Sequence, residues 1–449
     1  MKPAARRILF GVVGIAVIVL AAALWILRGP GPIAFSDGPK VAVADYKAGD
    51  ATGAPVSLVN TSLVERGAYL ARAADCVACH TAPGGKEFAG GLGINLPFGT
   101  LYSTNITPDK ETGIGNYSDQ DFLNAVHRGT RRDGARLYPA MPFTSYTFMT
   151  DADVLAVKTY LFSLAPVRAT VPANTLMFPF NQRWAMNFWS GLFSADTRFE
   201  PDTSKSLEWN RGAYLAEALT HCGECHTPRN LAFALNNRQK FAGAVTAGWR
   251  AFNISSDRST GLGAWSDEDI ASYLSTGHAT GHGTASGPMG EAVDNSFSHL
   301  APEDIRAIVA YLRTIPAIAS TDLPATVAPT ASASPKNGGL TADARGKRVF
   351  EGACVSCHGW TGESAISPFA TLTGAWAVND PGATNVAQIV IAGTRRHTPA
   401  DAVSMPAFGN AYSDIEIADV ANYVTSRFGS RASRLTARDV AELRKQTSQ

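Results

Sequence analysis

Every cysteine in this chain belongs to a Cys-x-x-Cys-His motif, which occurs at residues 76–80, 222–226 and 354–358. Two thiols with this spacing can form thioethers with the edge of a porphyrin, while the adjoining histidine ligates the iron from one axial side. Positions i, i+3 and i+4 share one face of a helix, so a single turn presents all three groups together. The motif therefore predicts covalently attached haem c, three times over.

Other roles for paired cysteines are weaker alternatives. A thioredoxin-like redox site or an ordinary disulfide does not require a histidine after the second cysteine. A structural zinc site needs two pairs brought together as four ligands, which three pairs do not supply evenly. We therefore expect three haem c groups, with thioether bonds to Cys76, Cys79, Cys222, Cys225, Cys354 and Cys357, and with proximal iron ligands His80, His226 and His358.

Length and charge agree with this interpretation. At the typical size of a protein domain, the 449 residues correspond to about three domains, which is one domain for each motif. The 39 basic and 38 acidic residues leave a net charge of +1, and the chain contains no long basic run. Nucleic acid is therefore not an expected partner.

An unbroken apolar segment occupies residues 8–27, after several basic residues and before Arg28. A helix of about 20 apolar residues is long enough to cross a bilayer. The apolar core of a secretory signal is usually only about 7 to 15 residues long. We expect an uncleaved membrane anchor at residues 1–30, with a cleaved signal as the alternative. In both cases the basic end stays in the cytoplasm, which places the haem-binding part in a bacterial periplasm, beside the inner membrane.

Similar segments precede the three motifs. The sequence RGAYLA at residues 66–71 recurs at residues 211–216, and a weaker copy, RGKRVF, lies at residues 345–350. We interpret these segments as the first helices of three homologous units. The first two units also share the segments at residues 105–107 and 253–255, and the expected helix N-caps Ser118 and Ser266.

A methionine follows a glycine by the same interval in each unit. The glycines suit the left-handed position that ends a helix. A methionine usually fills a core, but these three recur at one repeat position beside a proline, which favours ligation of iron. The expected sixth ligands are Met141, Met289 and Met405, after Gly129, Gly277 and Gly393. The alternative ligands are His278, His282 and His397.

Each unit is expected to close with an amphipathic helix, at residues 151–164, 302–312 and 413–428. These helices should cross the first helices at glycines that permit close approach, namely Gly67, Gly212 and Gly346. The carbonyls of Pro83 and Pro228 are candidates to hold the proximal histidines, with no equivalent in the third unit. Four arginines are equally compatible with haem propionates and with solvent: Arg131, Arg132, Arg395 and Arg396.

These features predict a mainly α fold of three tandem class I cytochrome c domains after an N-terminal transmembrane helix. The expected domains, called units 1, 2 and 3 below, are residues 60–166, 207–316 and 339–430. Residues 167–206 form an aromatic-rich connector, which either packs units 1 and 2 together or docks a partner subunit or the membrane. Residues 317–338 have the composition of a flexible linker. Residues 431–449 form a tail with a short charged helix.

Several longer stretches carry a family resemblance. They are RGAYLARAADCVACHTAPGGKEFAGGL, YSTNITPDKETGIG, LYPAMPF, HCGECHTPRN, SGPMGEAVDNSFSHL and MPAFGNAYSDIEIADVANYV. Over roughly residues 60–430 the chain resembles the triheme cytochrome c subunits of bacterial membrane-bound periplasmic dehydrogenases.

The resemblance implies an electron-transfer subunit with no catalytic site of its own. Its partner would be a dehydrogenase subunit of the flavin, molybdenum or pyrroloquinoline quinone type that oxidises alcohols, aldehydes, sugars or sugar acids. The electrons would pass to membrane ubiquinone or the respiratory chain. One alternative is an independent membrane-anchored multihaem carrier that serves a terminal oxidase. A haem enzyme with its own substrate is a weaker alternative, because it needs an open axial position.

Overall fold

The structure, a computed structural model, describes residues 3–30, 51–58, 60–320, 342–397 and 402–447. Within these ranges the chain is mainly α-helical, and its short strands form four two-stranded antiparallel sheets. Most of the expected linker at residues 317–338 lies outside the described residues.

The N-terminal helix, α1, covers Pro3–Arg28. Its segment Phe10–Arg28 has the length and the apolar composition needed to cross a membrane, and none of that segment is buried in the protein. The described part of the chain contains one helix of this kind. An apolar segment whose side chains the protein leaves exposed suits a lipid environment, because lipid can cover those side chains.

Units 1 and 2 have similar orders of elements. Unit 1 contains α2 (Leu63–Ala73), α3 (Cys76–Cys79), β1 (Gly93–Leu96), β2 (Gly99–Tyr102), α4 (Asp119–Arg128), α5 (Phe143–Tyr146) and α6 (Asp151–Ser163). Helix α7 (Ala185–Phe193) lies in the connector. Unit 2 contains α8 (Leu207–Tyr214), α9 (Gly223–His226), β3 (Ala244–Thr246), β4 (Trp249–Ala251), α10 (Asp267–Thr276), β5 (His278–Ala279), β6 (Gly283–Thr284), α11 (Gly287–Asn295) and α12 (Pro302–Leu312). A π-helical turn, Leu215–Leu219, continues α8.

Unit 3 differs in its middle part. Its elements are α13 (Ala342–Ala353), α14 (Val355–His358), α15 (Trp376–Asn379), α16 (Thr384–Ala392), β7 (Thr394–His397), β8 (Ala402–Met405) and α17 (Asp414–Phe428). In the tail, α18 (Ala437–Thr447) packs against α16 and α17 and buries Val440. Short 3-10 turns lie at Val56–Leu58, Asn237–Gln239, Leu262–Ala264, Phe297–His299 and Pro368–Ala370.

The serine N-caps predicted from the sequence are present. The side chains of Ser118 and Ser266 each accept a hydrogen bond from the backbone three residues later, and the aspartate there bonds back to the cap. The same reciprocal capping box begins α2 at Ser62 and α17 at Ser413. Each box satisfies amide groups that the first helical turn leaves without a partner, which fixes where the helix starts.

The first and last helices of every unit cross at a glycine. The pairs are α2 with α6, α8 with α12, and α13 with α17. A Cβ at Gly67, Gly212 or Gly346 would overlap a backbone carbonyl of the facing helix. It would also lie only 2.9, 2.8 and 2.9 Å from the Cβ of Tyr160, Tyr311 and Tyr423, respectively. The predicted glycine crossings are confirmed, because no larger residue permits this backbone approach.

Units 1 and 2 share one continuous apolar core, whereas unit 3 has its own. The two joined units also exchange hydrogen bonds. Tyr69 of unit 1 donates to Asp304 of unit 2 at 2.6 Å, and Tyr214 of unit 2 donates to Asp153 of unit 1 at 2.5 Å. Burial, reinforced by these carboxylates, raises the pKa of both tyrosines, so the hydroxyls remain protonated donors. Units 1 and 2 therefore behave as one packed body.

The connector packs against both of these units. The N–H groups of Thr175 and Met177 bond to the carbonyls of Thr100 and Phe98, at 3.0 and 2.9 Å, along the β1–β2 hairpin. The fully buried Phe199 lies against Tyr214 of unit 2, with ring centroids 5.2 Å apart. Intramolecular packing, one of the two interpretations of this segment, therefore describes its inner side.

We predict that Gly346→Ala lowers the free energy of unfolding by about 3 kcal/mol, because the added methyl group must push α13 away from α17. Gly352→Ala, in the same helix, is the matched control, since a Cβ there meets nothing within 4 Å. It should be neutral or stabilise by up to about 1 kcal/mol. Urea unfolding followed by circular dichroism measures the stability of both variants. Equal changes in the free energy of unfolding would contradict the steric role of Gly346 at the helix crossing.

Candidate haem-attachment sites

Each Cys-x-x-Cys-His motif forms one helical turn after the first helix of its unit. The N–H of the histidine donates to the carbonyl of the first cysteine, at 3.1 Å in the first motif and 3.0 Å in the other two. In units 1 and 2 the residue before the motif interrupts the first helix, because Asp75 and His221 have φ values of 50° and 39°. This left-handed residue turns the motif away from the axis of the preceding helix.

The cysteines of each motif have different environments. The first is half-buried and packs against the apolar core, and the second is exposed. Burial raises the pKa of the Cys76 thiol to about 12 and that of the Cys222 thiol to about 11. A redox-active thiol requires the opposite shift. Among the described residues, no three His, Cys, Asp or Glu side chains form a group that could hold a metal ion.

A backbone carbonyl holds the ring of every motif histidine. The Nδ1–O distance is 2.6 Å in each of the three pairs, which are His80 with Thr104, His226 with Phe252 and His358 with Ala370. A carbonyl can only accept, so Nδ1 carries the proton and Nε2 keeps the lone pair that a metal needs. Burial lowers the pKa of all three rings, which favours the neutral form that binds metal.

The sequence-based expectation for these carbonyls is wrong. Neither Pro83 nor Pro228 holds a ring, and unit 3 does have an equivalent, the carbonyl of Ala370. The backbone at Pro83 and Pro228 follows its histidine too closely to return to Nδ1. The carbonyl comes instead from a loop that crosses back over the motif.

The holding loops of units 1 and 2 are built by the repeated segments at residues 105–107 and 253–255. The Oδ1 atom of Asn105 accepts the N–H of Thr107 at 2.9 Å, and its Nδ2 donates to the carbonyl of Val167 at 2.7 Å. Asn253 makes the same two bonds, to Ser255 and Ile318, at 2.8 and 2.7 Å. The recurrence of Asn-x-Thr/Ser was a usable signal, because this pattern favours a side chain–backbone turn.

The three predicted methionine ligands lie in different local structures. Met141 precedes α5, Met289 lies within α11, and Met405 ends β8. All three are half-buried and pack against the core of their unit. Their positions leave a sulfur near the core in every unit, and ligation of iron by these atoms stays a prediction.

The glycines before the methionines are not equivalent. Gly129 and Gly277 adopt the expected left-handed cap, with φ/ψ of 58°/38° and 74°/15°. Gly393 also ends its helix with a left-handed φ of 71°, but its ψ of −174° departs from the expected cap conformation. The reason is the four-residue strand β7, which begins at the next residue and draws the chain into an extended path.

Two of the alternative histidine ligands have protein partners. The Nδ1 atom of His278 lies 3.0 Å from the hydroxyl of Thr284. His282 stacks on Trp265 at 3.7 Å between ring centroids and lies 3.5 Å from the carboxylate of Asp269. The side chain of His397 lies outside the described residues. These contacts orient both rings, but the Nε2 atom of His278 is buried without a hydrogen-bond partner, so the alternative ligands stay predictions.

The attachment sites of units 1 and 2 face each other. Glu224, inside the second motif, accepts hydrogen bonds from Thr144 at 2.8 Å and Ser145 at 3.1 Å, both in α5 of unit 1. Conversely, α3 with the first motif packs against α11 of unit 2, which contains Met289. Each motif therefore contacts the methionine-bearing segment of the other unit.

Arg396 joins unit 3 to unit 2. Its side chain is only 2% exposed, forms an ion pair with Asp294 at 3.0 Å, and donates to the carbonyls of Gly290 and Thr276. On the hairpin it pairs with Val403 of β8. Arg396 thus contacts the segment just after Met289 in unit 2, although it belongs to the hairpin of unit 3 that ends at Met405.

The interpretation of Arg396 as a solvated residue is wrong, because alternate residues of a strand point to opposite sides and this one points into unit 2. Contact of Arg396 with a haem propionate stays a prediction. Its neighbour Arg395 is exposed. Arg131 and Arg132 form surface ion pairs with Asp133 and Asp121, at 3.0 and 3.7 Å.

We predict that Arg396→Gln destabilises the contact between units 2 and 3 by about 2 to 4 kcal/mol, since it leaves Asp294 without its buried partner. Arg395→Gln, one residue earlier on the same strand, should leave stability unchanged. Thermal unfolding of the haem-loaded full chain measures both variants. An unfolding midpoint that is the same in Arg396→Gln, Arg395→Gln and the unmodified chain would disprove the role of Arg396 in joining units 2 and 3.

Comparison with known proteins agrees with the geometry of these sites. Residues 64–165 and 344–427 match the family model of Cytochrome c. The chain is 40% identical over 405 residues to the fructose dehydrogenase cytochrome subunit of Gluconobacter japonicus, which covers 85% of this chain and 82% of that protein. It is 40% identical over 407 residues to the gluconate 2-dehydrogenase cytochrome c subunit of Pantoea cypripedii, with coverage of 86% and 90%.

A third relative is much longer. This subunit of the nicotinate dehydrogenase of Pseudomonas putida is 40% identical over 375 residues, which are 83% of this chain but only 31% of that protein. The paired thiols and the Nδ1-protonated histidines are the donor set that covalent haem attachment needs. Because two relatives match over most of both chains, this chain belongs to the family of dehydrogenase cytochrome c subunits, whose members carry covalently bound haem c.

Proposed function

We propose that this chain is the three-haem electron-transfer subunit of a periplasmic dehydrogenase complex. The observation that carries the proposal is the triplicated site, in which a one-turn Cys-x-x-Cys-His segment presents a histidine whose Nδ1 lies 2.6 Å from a backbone carbonyl. When bound, haem c supplies a reversible one-electron iron couple.

In this proposal each residue of the site has one role. The thioether residues are Cys76, Cys79, Cys222, Cys225, Cys354 and Cys357, and the iron ligands are His80, Met141, His226, Met289, His358 and Met405. The carbonyl bond at Nδ1 fixes the orientation of each imidazole and increases the basicity of Nε2. A methionine on the opposite side fills the last axial position and excludes small molecules. The chain then needs no substrate site of its own.

The proposed architecture is three class I cytochrome c domains at residues 60–166, 207–316 and 339–430. The family match supports the first and third. The second is supported by its repeat of the first domain and by the shared glycine crossing between its outer helices. The contact between the motif of one unit and the methionine segment of the other favours electron exchange between units 1 and 2, since short separations favour electron transfer.

The proposed partner is a dehydrogenase catalytic subunit of the flavin, molybdenum or pyrroloquinoline quinone type. The names of the relatives support this class, since they include fructose, gluconate and nicotinate dehydrogenases. The helix α1 supports anchoring in the inner membrane, with the basic N-terminus in the cytoplasm and the three units in the periplasm. Membrane ubiquinone is the acceptor that this location favours.

The methionine ligands are tested one at a time. We expect Met141→Ala, Met289→Ala and Met405→Ala each to remove about one third of the near-infrared absorption band of methionine-ligated ferric haem, because each variant frees one axial position. Met177→Ala is the control, since its side chain is 58% exposed. A band that survives intact in any of the three variants rejects that methionine as a ligand.

The partner is tested on the complex captured from native membranes. We expect intact mass of this chain to show three haem additions, and two additions in a Cys354→Ala, Cys357→Ala variant. The co-purified subunit should contain a flavin, a molybdenum centre or pyrroloquinoline quinone, and its substrate should reduce the haem absorption bands. Co-purification with a terminal oxidase alone would favour the independent carrier instead.

A further inference from the structure

Six of the exposed apolar side chains in the connector and in the loop after the second motif form a cluster. They are Phe178, Phe180, Trp184, Phe188, Leu231 and Phe233, and we call them the aromatic patch. Phe188 is 70% exposed and Leu231 is 94% exposed. Single exposed apolar residues are ordinary, but a contiguous cluster indicates a surface that something other than water covers.

Direct contacts connect the two parts of the patch. The Nε1 atom of Trp189, in α7, donates to the carbonyl of Ala232 at 2.8 Å. The rings of Phe180 and Phe233 meet edge to face with centroids 6.4 Å apart. The patch is therefore one surface, although its members lie about 50 residues apart in the chain.

The same loop holds the C-terminal end of α1. The side chain of Asn230 donates to the carbonyl of Leu27 at 2.8 Å, and that of Arg238 donates to the carbonyl of Ile26 at 3.0 Å. Asn237 donates to the carbonyl of Pro30 at 3.2 Å, and α7 itself packs against α1. These bonds reach carbonyls that the end of a helix leaves without partners.

We propose that the aromatic patch lies in the interface of the lipid bilayer, as a second membrane contact beside α1. The inference rests on α1 as a transmembrane anchor. If Phe10–Arg28 spans the membrane, then Ile26 and Leu27 are at its periplasmic surface, and the loop bonded to them is at the same level. Apolar side chains at that level enter the boundary between headgroups and acyl chains, to a depth of about 5 to 10 Å.

The composition of the surface favours lipid over a protein partner. Tryptophan and other aromatic rings are enriched at membrane interfaces. The exposed Arg28 ends α1 and the exposed Arg238 bonds to the carbonyl of Ile26, so both can pair with anionic headgroups at that level. Helix α7 also has two different faces, as an interfacial helix does. Ser190 is buried against the protein, and Phe188 is exposed. A protein that covered this surface would have to displace lipid from around α1.

The experiment is electron paramagnetic resonance of the haem-loaded full chain in phosphatidylcholine and phosphatidylglycerol nanodiscs. A nitroxide label is attached to the introduced cysteine of Phe188→Cys. The labelling is selective, because the six native thiols are blocked as thioethers. Val17→Cys, in the middle of α1, reports on the anchor. Ile415→Cys, an exposed apolar position at the start of α17, is the aqueous control.

The accessibility of each label to oxygen, relative to a water-soluble nickel complex, gives its depth. We expect this ratio to be severalfold higher at Phe188 than at Ile415, and highest at Val17. A ratio at Phe188 that equals the control, while Val17 remains in the bilayer, overturns the inference and leaves the anchor intact. Aqueous values at both Phe188 and Val17 overturn the anchor as well.

A second variant tests the bonds that set the level of the patch. Asn230→Ala combined with Arg238→Ala should lower the ratio at Phe188 and leave that at Val17 unchanged. If the label at Phe188 is aqueous in the isolated chain and immobilised only in the complex with the dehydrogenase, the patch binds protein and the membrane inference is wrong.

Discussion

The rest of each unit depends on one steric constraint, the backbone approach of its first and last helices at a glycine. The approach leaves no room for a Cβ at Gly67, Gly212 or Gly346. Because the Cys-x-x-Cys-His turn follows the first helix within a few residues, the crossing also limits where the thiols and the imidazole stand relative to the last helix. The candidate haem-attachment site is thus positioned by a contact that lies outside it.

Contacts between units follow a different physical rule, since they depend on buried polar groups that are paired across the boundary between units. Tyr69 and Tyr214 exchange hydrogen bonds with Asp304 and Asp153, which ties units 1 and 2 into one core. Unit 3 is attached to this pair partly through Arg396, whose carbonyl and carboxylate partners belong to unit 2. Such groups are costly to bury alone, so they favour one relative arrangement of the units.

The connector shows how one segment can serve two environments. Its inner side pairs with the β1–β2 hairpin and contributes a buried phenylalanine, whereas its outer side exposes aromatic rings next to α1. The intramolecular interpretation therefore describes the inner side of this segment, whereas docking by its outer side stays a proposal, and aromatic content alone did not separate the two. The direction of each ring depends on contacts made by residues far away in the chain.

The sequence by itself indicated the candidate site residues, the repeated helices, the capping serines and the glycines of the crossings, because each is a residue type at a short spacing within one segment. The tertiary structure determined which carbonyl bonds to each imidazole and in which direction the side chain of Arg396 points. It also determined the backbone conformation of Gly393, which differs from the helix cap at Gly129. Those outcomes depend on loops and units that meet only in the folded chain. Local spacing specifies what a segment can bind, and long-range packing specifies what it faces.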